Sequence, residues 1–263
     1  MEPGRVHRLA ALPKVILAPG VTARLAWSKG AMLAVLEMEG GSVYPVQELG
    51  EELITVVREG SATCLSGEEA LALEQDSLVY LTPGTQRSLK AGPDGLKALE
   101  VFSPVRADML RMAGATLPAD AKVSFPDQGV TPSLLPGLVY RLGDVPLTPL
   151  TDPDPSLPQK RSAANSRVVW GRNAMLSFIR MDPDSSFPVH SHPEHQIMML
   201  LRGAMEEGVM DSGFPMTDEG NDVILLPGGM SHSGRMSEAG ADALDVFWPV
   251  RPDYMQRARK GSA

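Results

Sequence analysis

Asp245-Val-Phe-Trp-Pro-Val-Arg251, close to the C-terminus, restates Glu100-Val-Phe-Ser-Pro-Val-Arg106 from the first half of the chain. Working outward from this pair, the same order of echoes recurs on both sides. Val6-His-Arg-Leu-Ala-Ala-Leu-Pro13 returns as Val139-Tyr-Arg-Leu-Gly-Asp-Val-Pro146, and Trp27-Ser-Lys-Gly-Ala-Met-Leu33 as Trp170-Gly-Arg-Asn-Ala-Met-Leu176. Tyr44-Pro-Val-Gln47 matches Phe187-Pro-Val-His190, and Thr82-Pro-Gly84 matches Leu226-Pro-Gly228. Self-similarity in constant order means one structural unit built twice. The offset is 133 at the first match and 143 to 145 afterwards, so the second copy carries an insert near Thr148 to Ala164, Pro-rich and read as a surface loop.

The organisation that follows is an N-terminal domain over residues 1–112, a connecting segment over 113–138 containing Pro118, Pro126, Pro132 and Pro136, and a C-terminal domain over 139–263. A chain of 263 residues is long enough for two domains, each with a core of its own. Short runs rich in Val, Leu and Ile read as strands: Leu53 to Val57, Ser77 to Leu81, Ile197 to Leu201 and Val223 to Leu226. Glu59-Gly60, Pro83-Gly84, Pro93-Asp94-Gly95, Arg202-Gly203 and Pro227-Gly228-Gly229 read as turns between them. Only Arg106 to Ala113 and Arg251 to Lys260 look helical, as short caps, so the fold class is all-β.

The net charge of -8 is spread along the chain, which speaks against a nucleic-acid or anionic-membrane partner. The single cysteine, Cys64, stands in a strand-like run and reads as a small core residue. Neither a signal-length apolar N-terminus nor a membrane-length apolar run is present, which gives an expected cytoplasmic location.

Four of the five histidines fall in two places, His190, His192 and His195 in PVHSHPEHQ and His232 in LPGGMSH. On a strand, residues i and i+2 share a face, so His190 and His192 point into one space. Gln196 can present a carbonyl oxygen, and His232 can arrive from another strand to complete a site for one divalent cation. His195, out of phase with the pair, reads as a satisfied polar or surface residue, with the rim of the pocket or a ligand role in place of Gln196 as the alternatives. His7 reads as structural.

These residues resemble the two motifs of the cupin superfamily, Gly-x5-His-x-His-x3,4-Glu-x6-Gly and Gly-x5-Pro-x-Gly-x2-His. His190, His192, Gln196 and Gly203 follow the first, with Asp184 at its leading Gly; Pro227, Gly229 and His232 follow the second, with Asn221 at its Gly. The resemblance covers both copies and implies a bicupin of two tandem jelly-roll β-barrels. It also implies a metal held inside the second barrel by His190, His192, Gln196 and His232. Nickel, zinc, iron, manganese or cobalt would suit that set. The first copy has Gln47, Leu49, Leu53 and Ser88 at the matching places and keeps only the leading Gly41, so no metal is expected there. Its Glu51 and Glu52 read as solvated acids on a turn.

Three imidazoles and an amide are neutral and leave the ion its full charge, which favours a small anionic substrate. Met198, Met199, Met205, Met210, Met230 and Met236 suggest an apolar wall or a Met-rich core. The HSHPEHQ and DVFWPVR segments further resemble small cupins of pectin and alginate breakdown. That likeness implies catalytic roles for Asp245 and Arg251 on an unsaturated uronate, although the echo in Glu100 and Arg106 allows a packing role or a salt bridge instead. The expected function is a metal-dependent, non-redox enzyme, a lyase, isomerase or hydrolase on a small carboxylate. The alternatives are a metal-dependent dioxygenase and a noncatalytic small-molecule binding protein. A homodimer is compatible with the fold.

Overall fold

The computed structural model describes residues 1–116, 121, 129–150 and 164–261. The strands in the first half are β1 (Val6–His7), β2 (Lys14–Ala18), β3 (Val21–Trp27), β4 (Met32–Met38), β5 (Val43–Glu48), β6 (Glu52–Ser66), β7 (Glu69–Leu73), β8 (Ser77–Leu81) and β9 (Gln86–Ser103), closed by the helix α1 (Ala107–Met112). The second half repeats them as β10 (Val139–Arg141), β11 (Leu147–Pro149), β12 (Ala164–Trp170), β13 (Met175–Met181), β14 (Ser186–His190), β15 (His195–Val209), β16 (Ser212–Thr217), β17 (Val223–Leu226) and β18 (His232–Trp248), closed by α2 (Pro252–Gly261).

One nine-stranded sheet runs β10-β8-β6-β9-β4-β3-β2, with β5 on β9 and β7 on β6. The other runs β1-β17-β15-β18-β13-β12-β11, with β14 on β18 and β16 on β15. The two orders correspond strand for strand, as the internal repeat requires: each copy is an all-β jelly roll. Strands buried on both faces read as continuous apolar runs, and Ser77-Leu-Val-Tyr-Leu81 of β8 is buried at every position. Cys64 lies in the core of the first barrel. No helix among the described residues is long and apolar enough to cross a membrane.

Two sequence expectations change. Glu59-Gly60, Arg202-Gly203 and Pro93-Asp94-Gly95 do not reverse the chain; they lie inside β6, β15 and β9. At Leu200/Arg202 and Gly203/Met205 the ladder shifts register, and Gly203 takes φ +81 with the Gly240 carbonyl oxygen only 2.2 Å from where a Cβ would stand. Such bulges bend one long strand around the barrel corner. The residue ranges of the two halves also change. β1 pairs with β17, Val6 opposite Ile224, and β10 pairs with β8, Val139 opposite Val79. The compact units are accordingly Leu12–Val145 with Trp170–Ala174, and Met1–Ala11 with Pro146–Val169 and Met175–Ala263. The physical reason is edge protection: each leading strand covers the open ladder of a sheet edge, and neighbourhood in sequence does not decide which edge that is. The 151–163 part of the insert and most of the Pro-rich 117–128 stretch lie outside the described residues.

Glu52 is not the solvated acid that the sequence suggests. In the first unit it is buried, and its carboxylate accepts the backbone N–H groups of Arg172 (2.7 Å), Asn173 (2.9 Å) and Ala174 (2.9 Å) and the Tyr80 hydroxyl (3.1 Å). It satisfies a backbone corner that would otherwise leave three donors unmet.

Candidate metal centre

β14 and β18 pair with His190 directly opposite His232, and the chain leaves β14 through a short loop that carries His192. The candidate ligand nitrogens of His190, His192 and His232 all lie within 4.8 Å of one another. Each imidazole bonds a main-chain carbonyl through Nδ1: His190 to Pro188 (3.0 Å), His192 to Glu194 (2.9 Å) and His232 to Met230 (3.0 Å). A carbonyl only accepts, so Nδ1 carries the proton in all three; in His190 and His232 the Nε2 lone pair is left for a cation, while His192 Nε2 already meets the Gln196 side chain. Burial, followed by the charge of Arg251, pulls His192 below the usual imidazole range, and burial pulls His232 down to about 4. Both are therefore neutral donors at ordinary pH.

Gln196 stands on β15 with Oε1 3.1 Å from His192 Nε2, while its Nε2 donates to Asp245 Oδ1 at 2.8 Å. The second bond orients the amide: with the NH2 held by Asp245, the carbonyl oxygen faces the histidines. The residues present thus fit a divalent ion of the borderline type, with three imidazoles and one amide oxygen converging from three pieces of chain. Asp245 is wholly enclosed, and burial pushes its carboxyl up to about 7 against the bond from Gln196 and the charge of Arg251.

A cavity of about 220 Å³ opens on this cluster, lined by His190, Gln196, His232, Asp245 and Arg251 and walled by apolar groups that include Met198. Arg251 forks onto Asp253 (3.1 and 2.8 Å) and lies over the Tyr254 ring at 3.9 Å. Asp245 and Arg251 do not form the salt bridge that the echo in the first copy allowed, since each is bonded elsewhere. His195 is out of the cluster, its ring 5.8 Å from that of Trp248, and His7 bonds the Glu2 carbonyl. Of the methionines, Met205 and Met236 are core, while Met210 is exposed on a turn.

No protein-family model matches the sequence, and no curated protein matches it. Solved structures do match. A tryptophan variant of oxalate decarboxylase from Bacillus subtilis aligns with a TM-score of 0.66 at 15% identity, over 95% of this chain and 78% of that one. The same enzyme at pH 4.6 gives 0.66 and 15% over 95% and 77%, and a glutamate-to-alanine variant gives 0.66 and 16% over 95% and 78%. The fold is that of a bicupin. Another matching structure of that decarboxylase addresses its Mn(II) centres, a property of that protein.

The bicupin's own repeat shows what the first barrel put in place of the cluster. Asp184 and Asn221 both take the left-handed backbone, with φ +56 and +44, as Gly41 does with +74 at the place of Asp184 in the first copy, and Asp and Asn tolerate it best after Gly. Gln47 faces Arg87 where His190 faces His232, and Ser66 faces Arg87 where Val209 faces His232. The counterpart of His232 is therefore Arg87, not Ser88 as the sequence offset suggests; the offset grows from 143 to 145 between the two motifs. The Arg87 guanidinium is buried and ion-paired with Glu100, the counterpart of Asp245, and stands over the Tyr44 ring. An internal organic cation occupies the place at which the second barrel gathers imidazoles.

Proposed function

We propose that the second barrel holds one divalent metal ion on His190, His192, Gln196 and His232 and acts on a small carboxylate in a non-redox reaction, as a lyase, isomerase or hydrolase. The observation that carries this reading is the set of three histidines with Nδ1 tied to carbonyls and candidate ligand nitrogens within 4.8 Å of one another, two of them, His190 and His232, lining an arginine-bearing cavity. A bound ion would supply Lewis acidity toward a carboxylate or carbonyl oxygen. The chain's own groups do the rest. Arg251 offers a guanidinium edge for charge-assisted bonds to a carboxylate, and Asp245 is placed at the cavity wall to take up or hold a proton. The apolar wall, with Met198 and Phe247, limits water at the reacting atoms.

The acids to try first are oxalate, the substrate that the structural neighbours' name carries, and unsaturated uronates, to which the HSHPEHQ and DVFWPVR segments point. The test is turnover of these acids by metal-loaded protein, with and without dissolved oxygen and after chelation. Turnover that needs metal and is indifferent to oxygen supports the proposal. Oxygen consumed in step with substrate would instead make the protein a dioxygenase, and stabilisation by an acid without turnover would make it a binding protein.

A further inference from the structure

On β15, Glu207 faces Gly234 of β18, and the next facing pair on the same side is Val209 with His232. Facing residues of an antiparallel pair project to one side of the sheet, so Glu207 shares the interior face with His232, one diagonal step away. It is 0% exposed, and neither carboxylate oxygen has a hydrogen-bond partner. The charge that acts on it is another acid, Asp245; burial first, and then that acid, hold Glu207 well above the usual carboxyl range. A buried carboxylate with neither cation nor donor is among the costliest groups a fold can keep.

The first barrel supplies the comparison. Its register puts Cys64 at the place of Glu207, Arg87 at that of His232 and Glu100 at that of Asp245. There, one interior acid is balanced by one interior guanidinium, and no second acid is present at the matching places. The second barrel has an acid at both the Glu207 and the Asp245 position, with Glu194 also buried and a carboxylate oxygen of it 3.5 Å from His192 Nδ1, while three imidazoles and an amide stand where the cation would be and Arg251 is engaged with Asp253. Glu207 and Asp245, two acids beside a neutral cage with converging lone pairs, can together balance an ion of charge two.

We propose that Glu207 is a counter-charge for the divalent ion, setting its affinity with Asp245 from behind the ligands without coordinating it. This rests on the reading of the histidine cluster as a divalent-metal site. Glu207 acts through the ion and is a positioning residue, not a catalytic one.

The test titrates Mn(II) and Zn(II) into the metal-free full chain by calorimetry and melts the same metal-free samples. Glu207→Gln is expected to weaken binding about tenfold or more, as outer partners of metal sites do. The metal-free melting temperature is expected to stay or rise, because a buried acid without a hydrogen-bond partner has been removed. Glu207→Asp keeps the charge and should bind within a few-fold of wild type. A residue kept for packing would do the reverse, lowering the melting temperature with affinity unchanged. Glu207→Cys, which installs the residue of the first barrel, serves as the second neutral variant, and failure of both neutral variants to fold would make Glu207 structural and overturn the proposal. Equal affinity of wild type and Glu207→Gln would sink this inference alone, whereas a wild type that binds no divalent ion would remove the metal reading with it.

Discussion

Each candidate histidine ligand is aimed by one main-chain carbonyl and Gln196 by a side chain, and at the residue scale this makes Asp245 more than a cavity wall: it holds the Gln196 amide with its NH2 turned away from the histidines. Asp245→Ala should therefore weaken divalent binding on the order of ten- to a hundredfold, read by titration of metal-free protein. Arg251→Lys, which keeps charge but loses the fork, should leave metal content unchanged and cut turnover on the order of a hundredfold. In the first barrel, Arg87→Met leaves Glu100 buried and uncompensated and should cost about 3–5 kcal/mol in chemical denaturation. Arg87→Met with Glu100→Gln should recover much of that loss, and additive effects would show that the two are not coupled. The histidines were legible from their spacing at 190 and 192 and from the Pro-Gly-Gly turn before 232, although only His190 of the first pair lies on a strand and His192 is carried by the loop after β14. Glu207 was not: a bulge at 202 to 205 resets the alternation, so nothing in Glu206-Glu207 tells which acid faces in.

At the scale of elements, the strands were legible wherever burial on both faces made a continuous apolar run, as in β8 and β17. Their lengths were not, because the glycines that mark turns in short hairpins here mark bends within strands of 15 to 18 residues. The exchange of β1 and β10 was also hidden, since a two- or three-residue edge strand carries no information about its partner. Long strands that bend need ties across their neighbours. Asp242 of β18 supplies one, facing Arg180 of β13 and Arg202 of β15 and bonding both at 3.2 and 2.8 Å. Burial pushes its carboxyl up, but the bonds from Arg202 and Arg180 outweigh that and hold it below the usual range. A depressed acid stabilises the fold above its unfolded pKa and loses that contribution as pH falls through the folded one. The arginines are largely exposed, so the effect is worth less than about 1 kcal/mol. Asp242→Asn should melt a few degrees below wild type at pH 7, and the gap should close below about pH 4. A gap that persists at pH 2 would mean that the side chain matters for packing instead.

For the whole molecule, duplication gave two barrels of one topology and opposite solutions to the same interior problem. One closes its core around an arginine–glutamate pair; the other leaves a cage of imidazoles, buried acids and an open cavity. The sequence disclosed this division through its candidate ligand positions, but the internal cation of the first barrel became visible only through strand register, which moves the match from Ser88 to Arg87. The central claim is that a single divalent ion is held per chain, in the second barrel. Elemental analysis of full-length protein purified without a metal column, repeated on His190→Ala with His232→Ala, measures it. The structure predicts close to one equivalent in wild type and none in the double variant, with the first barrel still folded. Two equivalents per chain, or one that survives the loss of both histidines, would contradict it.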